Sequence, residues 1–184
     1  MEEAETFRRI AADFTDRVEG VDADGWEAEA PCEGWVARDV VRRLVEWVPW
    51  WVSEGTDHSV TVTSDVDDDP VAAWAQIRDQ LQALLDRPEA ETDTFESEMF
   101  GGAMPLGVAV ERFVTGDVLV HTWDLAKATD QDASIDADFA ASMYEGMLPM
   151  DDMLRNSGHF GPRVEVPDDA DPLTKLIAFT GRTP

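Results

Sequence analysis

The stretch from Pro105 to Thr129 restricts the fold more than any other part of the chain. Apolar residues cover more of its circumference than a surface helix can carry, so it must be a helix enclosed by other helices. Within it, GDVLVHTWDLAKATD carries Asp117, His121 and Asp124 at spacings of four and three. On a 3.6-residue period these share one stripe with Val110, Phe113, Val114 and Ala128. Charge on the apolar side of a helix needs a partner or a task.

Other segments supply the enclosing helices. Phe7, Ile10, Ala11, Phe14 and Val18 make a stripe that Gly20 ends. A second helix is expected from about Val36 to Glu54, bent or shortened by Pro49. Asp69-Pro70 opens a third by the cap-then-proline rule, with Val71, Trp74, Ile77, Leu81 and Leu84/Leu85 as its stripe; Arg87-Pro88 ends it. Another runs from Asp136 to about Asn156 with a break at Pro149, and Asp171-Pro172 opens a short last helix that Gly181 closes. VDADGWEAEAPCEGW reads as a loop, and Val60–Thr63 and Thr92–Phe95 as short extended pieces. GGAMP, Gly101 to Pro105, follows no clear strand and reads as a flexible approach to the fourth helix. The expectation is all-α: four substantial helices plus a short C-terminal one, with long connections, in a single domain over residues 1–184.

Composition excludes several functions. No apolar run approaches the roughly 20 residues of a membrane span, and MEEAETFRRI is no secretory signal. Cys32 is the sole cysteine, which rules out a disulfide framework and a multi-cysteine zinc site. A cytoplasmic location follows as the expectation. The net charge of −26, with Lys127 and Lys175 the only lysines, argues against nucleic acid and anionic membrane surfaces as partners.

In helical bundles, sites are built from side chains facing one another across the core. On the second helix Arg38, Arg42 and Glu46 share a wet side, with Arg42 and Glu46 spaced as an i,i+4 pair. Arg43 lies instead on a line with Val40, Trp47 and Trp50, which directs it toward the core edge.

PCEGWVARDVVRRLVEW, followed far downstream by GDVLVHTWDLAKATDQD and by the tail FGPRVEVPDDADPLTKLIAFTGRTP, resembles the DinB-like four-helix bundles. The closest resemblance is to the actinobacterial branch related to the metal-binding domain of mycothiol-dependent maleylpyruvate isomerase. There a metal is held by a histidine on the second helix and by an acidic residue and a histidine four apart on a later helix. The resemblance carries the later pair onto Asp117 and His121 and the earlier histidine onto Arg43. It implies a divalent metal (Zn, Ni, Mn or Fe), a low-molecular-weight thiol held as thiolate, and thiol-dependent transfer or isomerisation. The chain is too short for the isomerase's extra C-terminal domain, so maleylpyruvate is not the expected substrate.

Two departures qualify this. Asp117 is one carbon shorter than the usual glutamate, and a guanidinium has no lone pair to give a metal. A second reading therefore stands beside the first: Arg43 takes the metal's place, pairs with Asp117 while His121 bonds beside them, and recognises an anionic group in a small-molecule or protein-binding module. His58, His159, Asp124 and Cys32 are the candidates to replace the lost ligand. Read alone, His58 and His159 sit in polar, exposed segments and Cys32 is inert packing. Asp124, late in its helix where the dipole disfavours an anion, requires a loop amide or an arginine. Trp47, Trp50 and Trp51 suit core packing, a ligand wall or a homodimer contact. Since Trp50 and Trp51 are adjacent, at least one must be partly exposed.

Overall fold

The computed structural model describes residues 1–156 and 160–184; His159 lies outside the described residues. The chain is mostly helical, with one small two-stranded sheet. Its helices are α1 (Glu2–Glu19), α2 (Ala37–Gly55), α3 (Pro70–Leu85), α4 (Leu106–Ala109), α5 (Gly116–Ala128), α6 (Ala137–Met147), α7 (Asp151–Asn156) and α8 (Pro172–Phe179). α1 packs against α3 and α5, α2 packs against the same two, and α6 packs against α8. Phe7, Ile10 and Phe14, Val41, Leu44 and Trp51, Trp74, Ile77 and Leu81, and Val118 and Leu125 meet in one core, each almost wholly removed from water.

Three helices start at the aspartates that the sequence marks. Asp69 accepts from the Ala72 amide at 2.9 Å, Asp136 from Phe139 at 2.8 Å and Asp171 from Thr174 at 3.0 Å. α2 is not shortened at Pro49 and continues to Gly55. The residues between α4 and α5, Val110–Thr115, form a π-helical turn. This widened turn ends at Thr115, two residues before Asp117, and such turns recur at functional sites.

The segment around GGAMP is no loose connection. β1 (Thr94–Ser97) pairs antiparallel with β2 (Gly102–Pro105), Phe95 opposite Met104, and Gly101 and Gly102 take φ of 95° and 90° in the turn. Glycines read as flexibility are those that permit the reversal. Val60–Thr63 forms no strand. The α3 side chains Gln76 and Gln80 accept from the Thr63 and Thr61 amides at 2.7 and 3.0 Å, replacing a strand partner. Trp51 is fully buried and Trp50 is 47% exposed, as their adjacency requires. Among the described residues no helix is long and apolar enough to cross a membrane.

Candidate functional site

α2 and α5 bring the sequence-derived residues together. Arg43 Nε stands 3.8 Å from Asp117 Oδ2, and His121 Nε2 stands 3.5 Å from Asp117 Oδ1. Trp47, one turn along from Arg43, lies under its guanidinium with Cζ 5.1 Å from the ring centre, a cation–π arrangement. Arg42 points elsewhere, to Asp39 and Asp67 and not to Glu46.

These contacts leave hydrogen-bonding capacity unused. At 3.8 Å the Arg43–Asp117 pair is an ion pair without a hydrogen bond, and Asp117 Oδ2 is buried with no hydrogen-bond partner. Trp47 Nε1 is likewise buried without one. An unpaired acceptor and an unpaired donor thus flank the same guanidinium, and buried groups of this kind call for an explanation.

Behind His121 the bonding is dense. His121 Nδ1 lies 2.8 Å from Asp124 Oδ2. Asp124, 0% exposed, accepts both prongs of the Arg182 guanidinium, Nε to Oδ1 at 2.6 Å and Nη2 to Oδ2 at 2.7 Å. Burial alone would push the Asp124 carboxyl up. The hydrogen bonds from His121 and Arg182, and their charges, outweigh it and hold the group below the ordinary aspartate value. Arg182 shows the mirror image: burial lowers it, but Asp124 raises it further.

Cys32 closes the network. Its thiol lies 3.6 Å from Asp124 Oδ2, and Arg182 Nη2 donates to Sγ at 3.3 Å. Burial, then the Asp124 charge, push this thiol up to about 11 despite Arg182, so it stays protonated and un-nucleophilic at neutral pH. The loop before α2 places it. Ala30 donates to the Trp35 carbonyl at 2.9 Å, Trp35 donates to that of Cys32 at 3.0 Å, and Gly34 turns the chain at φ 79°. The same loop stacks Trp35 on the His121 ring, with centres 5.9 Å apart.

The structure brings the sequence-derived Arg43, Trp47, Asp117 and His121 together and gives Asp124 the arginine partner that its place in the helix required. Reading the sequence missed Trp35 and Arg182, and no local signal connects Arg182 to an aspartate 58 positions earlier. His58 is not simply exposed: it is half-buried, its Nε2 3.1 Å from Asp93, which Arg87 also grips. Among the described residues, no group of three or more His, Cys, Asp or Glu side chains is arranged to hold a metal ion.

Comparison with known proteins bears on the same region. Two uncharacterized proteins of Mycobacterium tuberculosis, from two strains, are each 27% identical over 179 residues, which is 92% of this chain and 92% of theirs. No solved structure matches. A family described as the mycothiol maleylpyruvate isomerase N-terminal domain matches residues 7–126, a span that holds Arg43, Asp117, His121 and Asp124 and stops short of Arg182. With well over half its length matched, the chain belongs to the mycothiol maleylpyruvate isomerase N-terminal domain family.

Proposed function

We propose that this protein is a DinB-like four-helix-bundle member of its family in which Arg43 replaces a metal ligand, and that it binds a small molecule carrying an anionic group. The observation that carries this reading is the Arg43 guanidinium standing 3.8 Å from Asp117. A catalytic metal site needs three protein donors and an open position. Asp117 and His121 supply two donors, and the third place is taken by a permanent cation with no lone pair. The residues do not fit a metal.

The polar atoms instead suit a ligand with complementary groups. Arg43 offers a fork of donors to a carboxylate or similar anion. Asp117 Oδ2 and Trp47 Nε1 supply an acceptor and a donor that lack protein partners. Family membership favours a low-molecular-weight thiol as the ligand class. Its S–H proton would pass to His121 Nε2, and the resulting thiolate would lie against Arg43, the condition for thiol-dependent transfer or isomerisation. We further propose a cytoplasmic protein that has neither nucleic acid nor a membrane as partner, a reading supported by the net charge of −26, which repels phosphate backbones and anionic lipid surfaces.

Metal titration of the untagged protein beside Arg43→His tests the proposal. After dialysis against Zn, Ni, Mn or Fe, elemental analysis should find no stoichiometric metal in the wild type and near-equimolar metal in Arg43→His. Near-equimolar metal in the wild type would overturn the metal-free reading. An empty Arg43→His variant would remove Asp117 and His121 as the ancestral ligand pair.

A further inference from the structure

We infer that the chain beyond the family-matched span completes the site: Arg182 is a positioning residue that acts through Asp124 to hold His121 as the Nδ1–H tautomer, leaving Nε2 as the site's proton acceptor. The inference rests on Arg43, Asp117 and His121 forming the ligand site, and not on whether that site is free of metal.

The chain of reasoning is one of hydrogen-bond direction. Arg182 can only donate, so both oxygens of Asp124 must accept from it, at 2.6 and 2.7 Å. A carboxylate engaged in this way has no proton to offer the imidazole. The 2.8 Å contact between Asp124 Oδ2 and His121 Nδ1 therefore requires the proton to sit on Nδ1. In a neutral ring the lone pair then falls to Nε2, which faces Asp117 Oδ1 at 3.5 Å. Two acceptors so disposed are a poor pair on their own and a good pair around a hydroxyl or thiol hydrogen. A proton taken by Nε2 gives an imidazolium that Asp124 stabilises from behind, the arrangement by which a base is oriented by a third group.

The tail is shaped for this contact. Gly181 ends α8 at φ 92°, with Gly181 N donating to the Ala178 carbonyl at 3.1 Å and Arg182 N to the Ile177 carbonyl at 3.2 Å. These two bonds form a Schellman cap. A side chain at Gly181 would be strained by that φ and would also meet the Gly161 backbone at 2.8 Å. The cap thus sets the direction in which Arg182 leaves the helix, back toward α5.

The test reads the tautomer directly. Long-range proton–nitrogen correlation spectra of the full chain with ¹⁵N-labelled histidine, recorded as pH is raised until the ring is neutral, distinguish protonated from bare ring nitrogens; His121→Gln identifies the signals. The wild type should show Nδ1 protonated and Nε2 bare. Arg182→Gln, checked for folding by circular dichroism, should lose this single state and populate Nε2–H, and Arg182→Lys should restore it in part. An Nε2–H wild type would overturn the inference, as would an unchanged His121 spectrum in folded Arg182→Gln. If Arg182→Gln does not fold, the wild-type spectrum and Arg182→Lys decide. None of these readouts needs a metal or a ligand, so their failure is separable from failure of the metal titration.

Discussion

At the scale of single residues, Asp124 has the largest energetic stake. It is the only carboxylate in the network with no access to water, and it is shared by an arginine, an imidazole and a thiol. Asp124→Asn leaves the Arg182 charge without its counterion, and breaking such a pair from one side costs about 3–5 kcal/mol; the urea midpoint measures it. The folded state holds this carboxyl below its ordinary value, so its stabilisation is full above the unfolded pKa of about 4 and fades as pH falls through the lower folded value. Acidification below about pH 4 should therefore lower the urea midpoint of the wild type, and this part of the loss should be missing in Asp124→Asn. Cys32 gives a second check. A thiol raised from 9.0 to about 11 has roughly a hundredfold less thiolate at neutral pH, partly offset by the greater nucleophilicity of the more basic thiolate. Iodoacetamide should therefore label it at least about tenfold more slowly than an unhindered cysteine, and urea should abolish the protection.

At the scale of elements, the legible parts of the sequence were those written in local chemistry. Asp-Pro pairs mark the starts of α3 and α8 because cap and fixed φ act within one turn. The β1–β2 hairpin was not legible, because Gly101-Gly102 signals a reversal only once Phe95 has something to pack on. That something is α2. Phe95 stacks on Trp51 with ring centres 4.3 Å apart, and Gly55 leaves room for its edge; a Cβ there would overlap the Phe95 ring. Gly55→Ala should therefore destabilise the protein by about 1–3 kcal/mol despite alanine's better helix propensity, read as a fall in Tm. The π-helical turn at Val110–Thr115 was also beyond a 3.6-residue count. Even so, the Asp117–His121–Asp124 spacing survived, since the irregularity lies wholly before it.

At the scale of the molecule, the helical character and the turn of Arg43 toward the core edge could be read from hydrophobic period, because both follow from which faces are apolar, whereas setting Arg43 opposite Asp117 needed the family resemblance. The half of the site behind His121 could not, since it joins segments whose nearness only the finished fold creates. The net charge of −26 is likewise a property of the whole. Like charges at this density repel one another in the compact state, and salt screens them within roughly 10 Å at 0.1 M. Tm should rise on going from low salt to molar KCl. The buried Asp124–Arg182 pair is screened far less, so the Tm difference between wild type and Asp124→Asn should persist at high salt.

The separation of 58 residues between Asp124 and Arg182 also bears on how the protein is born. At about 5–20 residues per second, a ribosome that has just added the aspartate needs roughly 3–12 seconds to reach the arginine. Until the tail emerges Asp124 has no Arg182 to pair with, so closing the interior around His121 before then would bury an unpaired anion or force it to take up a proton.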